Sequence, residues 1–162
     1  MGRVVLAVLL ALALAACGRP ALSAKRVEIQ ADYPMYDSVR MLHERATLVV
    51  AGQVLPGAVR SIDDLVYTVY RVQVERRFKG TSAETIEVKQ IGGTVGGTVY
   101  VEAGGIPLRT GTRYVLFLET YPDSPASLLN PAQAQYVLGD GDRPERVDPG
   151  GFEFTLASLE AL

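Results

Sequence analysis

The chain has 162 residues, a length that suits one domain, with 48% of them apolar and 21% charged. Its 16 Lys and Arg against 18 Asp and Glu leave a formal charge of −2, which excludes the strongly basic surface of a general nucleic-acid binder. The single Cys excludes an intrachain disulfide framework and a multi-Cys zinc site; the single His excludes a multi-His metal site and restricts any Ser–His or Cys–His pair to His43.

The apolar residues are concentrated at the start. Of the sixteen residues Met1–Ala16, fourteen are apolar, and Arg3 is the only charge. A basic start, an apolar run of about 7–15 residues (Val4–Leu14) and small residues after it read as a secretory signal. The run is too short for a bilayer span of about 20 residues. The sequence Leu14-Ala15-Ala16-Cys17 resembles the lipobox of bacterial lipoproteins. That resemblance implies a diacylglyceryl group on the Cys17 thiol and removal of residues 1–16, with Cys17 as the acylated N-terminus. An ordinary secretory signal with an incidental Cys is the alternative. The expected location is lipid-anchored and extracytoplasmic, on the cell membrane or the outer membrane. The remaining 146 residues have a formal charge of −3, because Arg3 leaves with the leader. Residues 17–33 then read as a lipidated N-terminus and a polar tether without clear period, and 34–162 as the domain.

Asp37-Ser38 can cap a short helix through about Ala46. Met35, Val39, Leu42 and Ala46 share one face of it, with His43 at the edge and partly exposed. Strand signals follow. Thr47–Leu55 is β-branched and apolar, and Pro56-Gly57 is expected to end it. Val66–Phe78 alternates over thirteen residues, with Val69 the exception. At about 43 Å if straight, such a strand has to coil or bend in a small domain. Thr85–Ile91, the short Val99–Val101, the doubly buried Arg113–Leu118 and Gln135–Leu138 complete the set. The glycines at 92, 93, 96 and 97 lack the Lys-Ser/Thr and the helix of a phosphate loop, and read as a bent hairpin or bulge. Tyr121–Pro131 reads as a loop and Asp140–Gly151 as a polar turn region, and Thr155 can cap a brief terminal helix. The expected fold is mainly β: a small OB-like five-stranded β-barrel with a short N-terminal helix.

The order of pieces carries a resemblance. It runs LVVAGQV (Leu48–Val54), YTVYRVQVERRFKG (Tyr67–Gly80), TIEVKQIGG (Thr85–Gly93), LRTGTRYVLFL (Leu108–Leu118) and YVLGDG (Tyr136–Gly141). This is similar to small bacterial secreted domains that resemble the netrin-like and tissue-inhibitor-of-metalloproteinase superfamily. The resemblance covers about Ala46–Gly141 and implies an OB-like barrel. Inhibitors of that superfamily bind the protease zinc through a free, disulfide-pinned N-terminal Cys. Here no second Cys exists to pin it, and Cys17 would be acylated.

Candidate site residues are few. Tyr67, Arg71 and Arg77, with Arg76 and Lys79, form one basic and aromatic strand face of the kind that binds oligonucleotides or sugars on OB barrels; a solvated barrel face is the plainer reading. Asp140 and Asp142, with Glu145 and Asp148, suggest calcium, but Pro144 stands at the third acidic position and Arg143 and Arg146 offset the charge. Asp63-Asp64 is a turn signal. No catalytic set and no cofactor motif are present. The expected role is a non-catalytic binding or protein-interaction module held to the membrane through Cys17, with an envelope protein as partner and no nucleic acid. A protease-inhibitor-like domain and an envelope enzyme are the alternatives.

Overall fold

Two 15-residue strands, β2 (Leu48–Ile62) and β3 (Leu65–Lys79), form a long hairpin that organises the molecule. The computed structural model describes residues 24–162, so Cys17 and the lipidation reading lie outside the described residues. Asp63 and Asp64 close the hairpin with φ of 50° and 63°. A two-residue turn matched to the strand twist needs positive φ at both positions, and Asp tolerates that better than most residues.

β2 does not stop at Pro56-Gly57. The ladder shifts register between Leu55 and Ala58, so Pro56 sits in a bulge that requires no ladder N–H, and pairing resumes to Ile62. Two further shifts, at Val49/Val50 and Ala51/Gly52, coil the hairpin as its length demands. At Gly52 a Cβ would lie 2.4 Å from the Gln73 carbonyl oxygen, so only glycine lets the strands approach this closely.

β4 (Thr85–Val95) pairs with β3 and turns through Gly96-Gly97 into β5 (Thr98–Glu102). β1 (Lys25–Ile29) adds to β5 in parallel. On the other side of β2 lie β6 (Arg113–Glu119), β8 (Gln135–Leu138) and β9 (Pro144–Arg146). The short β7 (Ala126–Leu128) pairs with both β4 and β6, so β2, β3, β4, β7 and β6 form a closed circuit. The chain is therefore mainly β, but the clean five-stranded barrel expected from sequence is corrected to a nine-stranded sheet. Three strands were not foreseen: β1 in the segment read as tether, β7 in the proline-rich loop and β9 in the polar turn region. Each is only three to five residues long. Such strands form because a neighbouring strand offers backbone partners, not because their own residues alternate.

The core centres on β6, where Tyr114–Leu118 are at most 1% exposed. Phe117, Tyr136 and Phe154 meet edge to face, with centroids 4.7–6.0 Å apart. Helix α1 (Val39–Arg45) is capped by Ser38, whose Oγ accepts from the Met41 N–H. It buries Leu42 against this core, with Ala46 just past its end. Two expectations are corrected here: Met35 is 67% exposed and off the buried face, while His43 is buried, with no partner for its Nε2. Helix α2 (Leu156–Glu160) opens with a reciprocal Thr155–Ser158 cap and buries Leu159. No helix among the described residues is long and apolar enough to cross a membrane.

Candidate functional site

The β3–β4 register sets Tyr67 opposite Ile91 and Val69 opposite Lys89, so Tyr67 and Lys89 share a face of the sheet by the two-residue strand period. β5 brings Glu102 to the same region, because Gly92 pairs with Val101. Between them is a cavity of about 340 Å³, lined also by Tyr33, Tyr36 and Tyr121. Residues 33–36 stay there because the turn before β8 clamps them. The Gln133 side chain accepts from the Tyr36 N–H at 2.9 Å and donates to the Tyr36 carbonyl at 3.0 Å. Asn130 donates to the Pro34 carbonyl at 3.0 Å.

Lys89 is held by aromatic faces. Its Nζ lies 4.7 Å from the Tyr121 ring centroid and 5.6 Å from that of Tyr67, and it donates to Ser124 Oγ at 2.6 Å. Lys89 forms no ion pair with any carboxylate among the described residues. Glu102 accepts a hydrogen bond from the Tyr33 hydroxyl. Burial pushes the Glu102 carboxyl above the usual carboxylate range, and the Tyr33 bond opposes that shift. Burial first, and the nearby Glu102 second, push the Tyr33 hydroxyl well above the usual phenol range. Tyr67 and Tyr121 shift upward chiefly through burial as well. The Tyr36 hydroxyl is buried without a hydrogen-bond partner. A buried orphan hydroxyl costs about 1–3 kcal/mol relative to a satisfied one.

Gln90 forms part of the far wall. Its amide receives the Leu108 N–H at 2.8 Å and donates to the Ile106 carbonyl at 3.1 Å, which pins the loop after β5. Beyond it lies a second cavity of about 400 Å³, lined by Arg26, Tyr70 and Tyr100 and sharing Gln90, Ile91 and Glu102 with the first. The arrangement suits a ligand that offers a flat apolar face to the tyrosines and a negative group to Lys89.

Of the three residues proposed for a basic face, only Tyr67 belongs here. Arg71 is four residues along β3, roughly 13 Å, and is exposed beside Glu87, which Arg60 already holds at 2.8 Å. Arg77 is ten residues along, roughly 33 Å, where it donates to Ser82 Oγ and the Ala83 carbonyl at 3.0 Å. Arg76 pairs with Glu160 and lies over Phe78. Lys79 closes the C-terminal end of α1 by donating to the His43 carbonyl at 2.7 Å and the Glu44 carbonyl at 2.8 Å. Tyr67, Arg71, Arg77 and Lys79 share a sequence parity that Arg76 does not, and parity does not gather them, because β3 is longer than any one site and its ladder shifts register near Glu75 and Phe78. Asp142 is committed to Arg113 at 2.8 Å, and Arg113 also binds Glu75 at 2.7 Å. Asp140 begins the same single 3-10 turn. No three of His, Cys, Asp or Glu among the described residues are grouped to hold a metal.

Sequence reasoning missed Tyr33, Lys89, Glu102 and Tyr121. Tyr33 falls in the segment read as tether, and Lys89 reads as an ordinary polar position of a strand. Their meeting depends on pairings that no local pattern encodes. No family model, no curated protein and no solved structure matches the chain.

Proposed function

We propose that the protein is a lipid-anchored, non-catalytic binding module of the cell envelope, and that its ligand enters the cavity between Tyr33, Tyr67, Lys89, Glu102 and Tyr121. The observation that carries this reading is Lys89, a cation placed between two tyrosine rings with no carboxylate of its own. A partner segment with a carboxylate beside a ring or an apolar face complements it. The closed circuit of β2, β3, β4, β7 and β6 supports regarding the core as an OB-like barrel with four added strands. Glu102 is engaged by Tyr33, which favours a fixed wall over a proton-transfer group. The Leu14-Ala15-Ala16-Cys17 motif supports the anchor.

Two experiments test the reading. Capture from envelope extracts on the immobilised protein should enrich a partner that Lys89→Met and Tyr121→Ala lose and Arg77→Ala retains. Equal retention by all three variants, or no partner above background, refutes the site. Cys17→Ser should move the protein from the membrane to the soluble fraction, and a variant that stays on the membrane refutes the anchor.

A further inference from the structure

The wall of the tyrosine-lined cavity carries a further polar group besides Lys89 and the Tyr33–Glu102 pair: Tyr36, Arg45 and Glu119. Arg45 is the last residue of α1 and Glu119 the last of β6. Their closest charged atoms are 3.9 Å apart, beyond a hydrogen bond, and the Arg45 side chain is 62% exposed. The other Glu119 carboxylate oxygen accepts from the Tyr121 hydroxyl at 3.2 Å, and the Tyr121 ring faces Lys89. Contacts therefore run from Arg45 through Glu119 and Tyr121 to Lys89.

Tyr36 is fixed through its backbone by Gln133 and is 8% exposed. Its hydroxyl has no hydrogen-bond partner among the described residues. After burial, the charges acting on that hydroxyl are those of Arg45 and Glu119, which places it beside this group. A buried hydroxyl left unmatched destabilises the free protein, and a ligand that meets it removes that cost. Its oxygen is covered, but Arg45, exposed and loosely held, can swing aside to admit a ligand atom.

A ligand has to satisfy these groups together. Lys89 offers a positive charge. Glu102 and Glu119 each take a phenol hydroxyl at one carboxylate oxygen and present the other. Tyr36 offers a hydroxyl that can both donate and accept. An apolar ring with one carboxylate satisfies Lys89 alone and leaves the remaining polar groups dry, which costs affinity. A partner helix, about 10–12 Å across, is too wide for a cavity of about 340 Å³. A pyranose ring meets every requirement. Its hydroxyls donate to the carboxylates and bond with Tyr36, and its C–H face lies against a tyrosine ring. Of the two ligand classes that OB barrels take, the chain's charge of −2 disfavours the oligonucleotide and leaves the saccharide.

We propose that the cavity takes one hexuronic acid unit of an acidic polysaccharide, with the sugar carboxylate on Lys89 and a ring hydroxyl on Tyr36. The proposal rests on the binding reading of this cavity and names the ligand.

The test is an NMR titration of the full-length protein in mild detergent. The probes are the methyl glycosides of glucuronic and galacturonic acid, their uncharged hexose counterparts, and phenylacetate. One of the uronides should bind about tenfold or more tighter than its hexose and than phenylacetate, the factor expected of a hydrogen bond to a charged group. Lys89→Met should erase the difference between uronide and hexose, and Arg77→Ala should change nothing. Tyr36→Phe should weaken the uronide about 3- to 10-fold while raising the urea midpoint of the free protein, a pair of opposite signs that a purely structural tyrosine does not give. A raised midpoint with unchanged affinity removes Tyr36 from the site and overturns the proposal. Phenylacetate binding as tightly as the uronides overturns the sugar and leaves the cavity as a binding site. So does failure of every probe while capture of an envelope partner still depends on Lys89, which assigns the cavity to a protein segment. Failure of every probe with no Lys89-dependent partner removes the binding reading and the sugar together.

Discussion

Phe154→Leu measures whether the C-terminal segment belongs to the core. Phe154 follows the polar stretch after β8, and its ring meets Phe117 at 6.0 Å and Tyr136 at 4.7 Å, at interplanar angles of 83° and 79°. Edge-to-face pairs contribute about 0.5–1.5 kcal/mol each beyond area burial. Leucine keeps most of the apolar bulk and removes both pairs, so the expected loss is about 1–3 kcal/mol. Urea denaturation of the Cys17→Ser chain, followed by far-UV circular dichroism, gives the number, with an unchanged slope against denaturant. Leu159→Ala in the same segment, at 1% exposure, should cost about 2–5 kcal/mol. Losses under about 0.5 kcal/mol for both would mean that the chain beyond Gly151 hangs on the domain without stabilising it.

Burial first, and the Lys79 charge second, lower the basicity of the His43 ring. The unfolded chain therefore takes up the proton first, so stability is complete above about pH 6.5 and declines as the pH falls below it. His43→Gln should flatten the change in urea midpoint between pH 7.5 and 5, and an equal decline in both proteins would refute the assignment. Asp64 sits at φ 63°: Asp64→Val should cost about 1–2 kcal/mol, while Asp64→Gly stays within about 0.5 kcal/mol, both read from urea midpoints. Tyr33→Phe removes the hydrogen bond that holds the Glu102 carboxyl down, so the carboxyl should titrate at higher pH still, followed by its carbon-13 shift. An unchanged or lower value would show that the two groups are not coupled.

The parts of the fold legible in the sequence are those whose side chains repeat. Val66, Val72 and Val74 alternate with Arg71, Gln73 and Glu75, and β3 lies where that pattern puts it. The unbroken apolar run from Tyr114 to Leu118 marks a strand buried on both faces, as found. Pro56-Gly57 misled, because a proline within a strand signals either an end or a bulge, and only the partner strand decides which. Tyr67 was legible as an aromatic on the polar side of a strong strand. Its neighbours were not: the Tyr33–Glu102 bond spans 69 positions and the Gln133 clamp on Tyr36 spans 97. Such contacts come from the closure of the sheet and have no local signature.

That closure has a weak seam. β7 holds to β4 through two residue pairs and to β6 through two more, and its Ser127 and Leu128 are also wall residues of the cavity. Parting this strand breaks a few backbone bonds and exposes Ala126 and Leu128 while the long β2–β3 hairpin stays intact, so opening the ring costs less than unfolding the domain. A ligand lodged between Tyr67 and Ser127 acts as a clasp across the seam. Its affinity and the protection of the Ala126–Leu128 amides from hydrogen exchange are then two measures of one equilibrium.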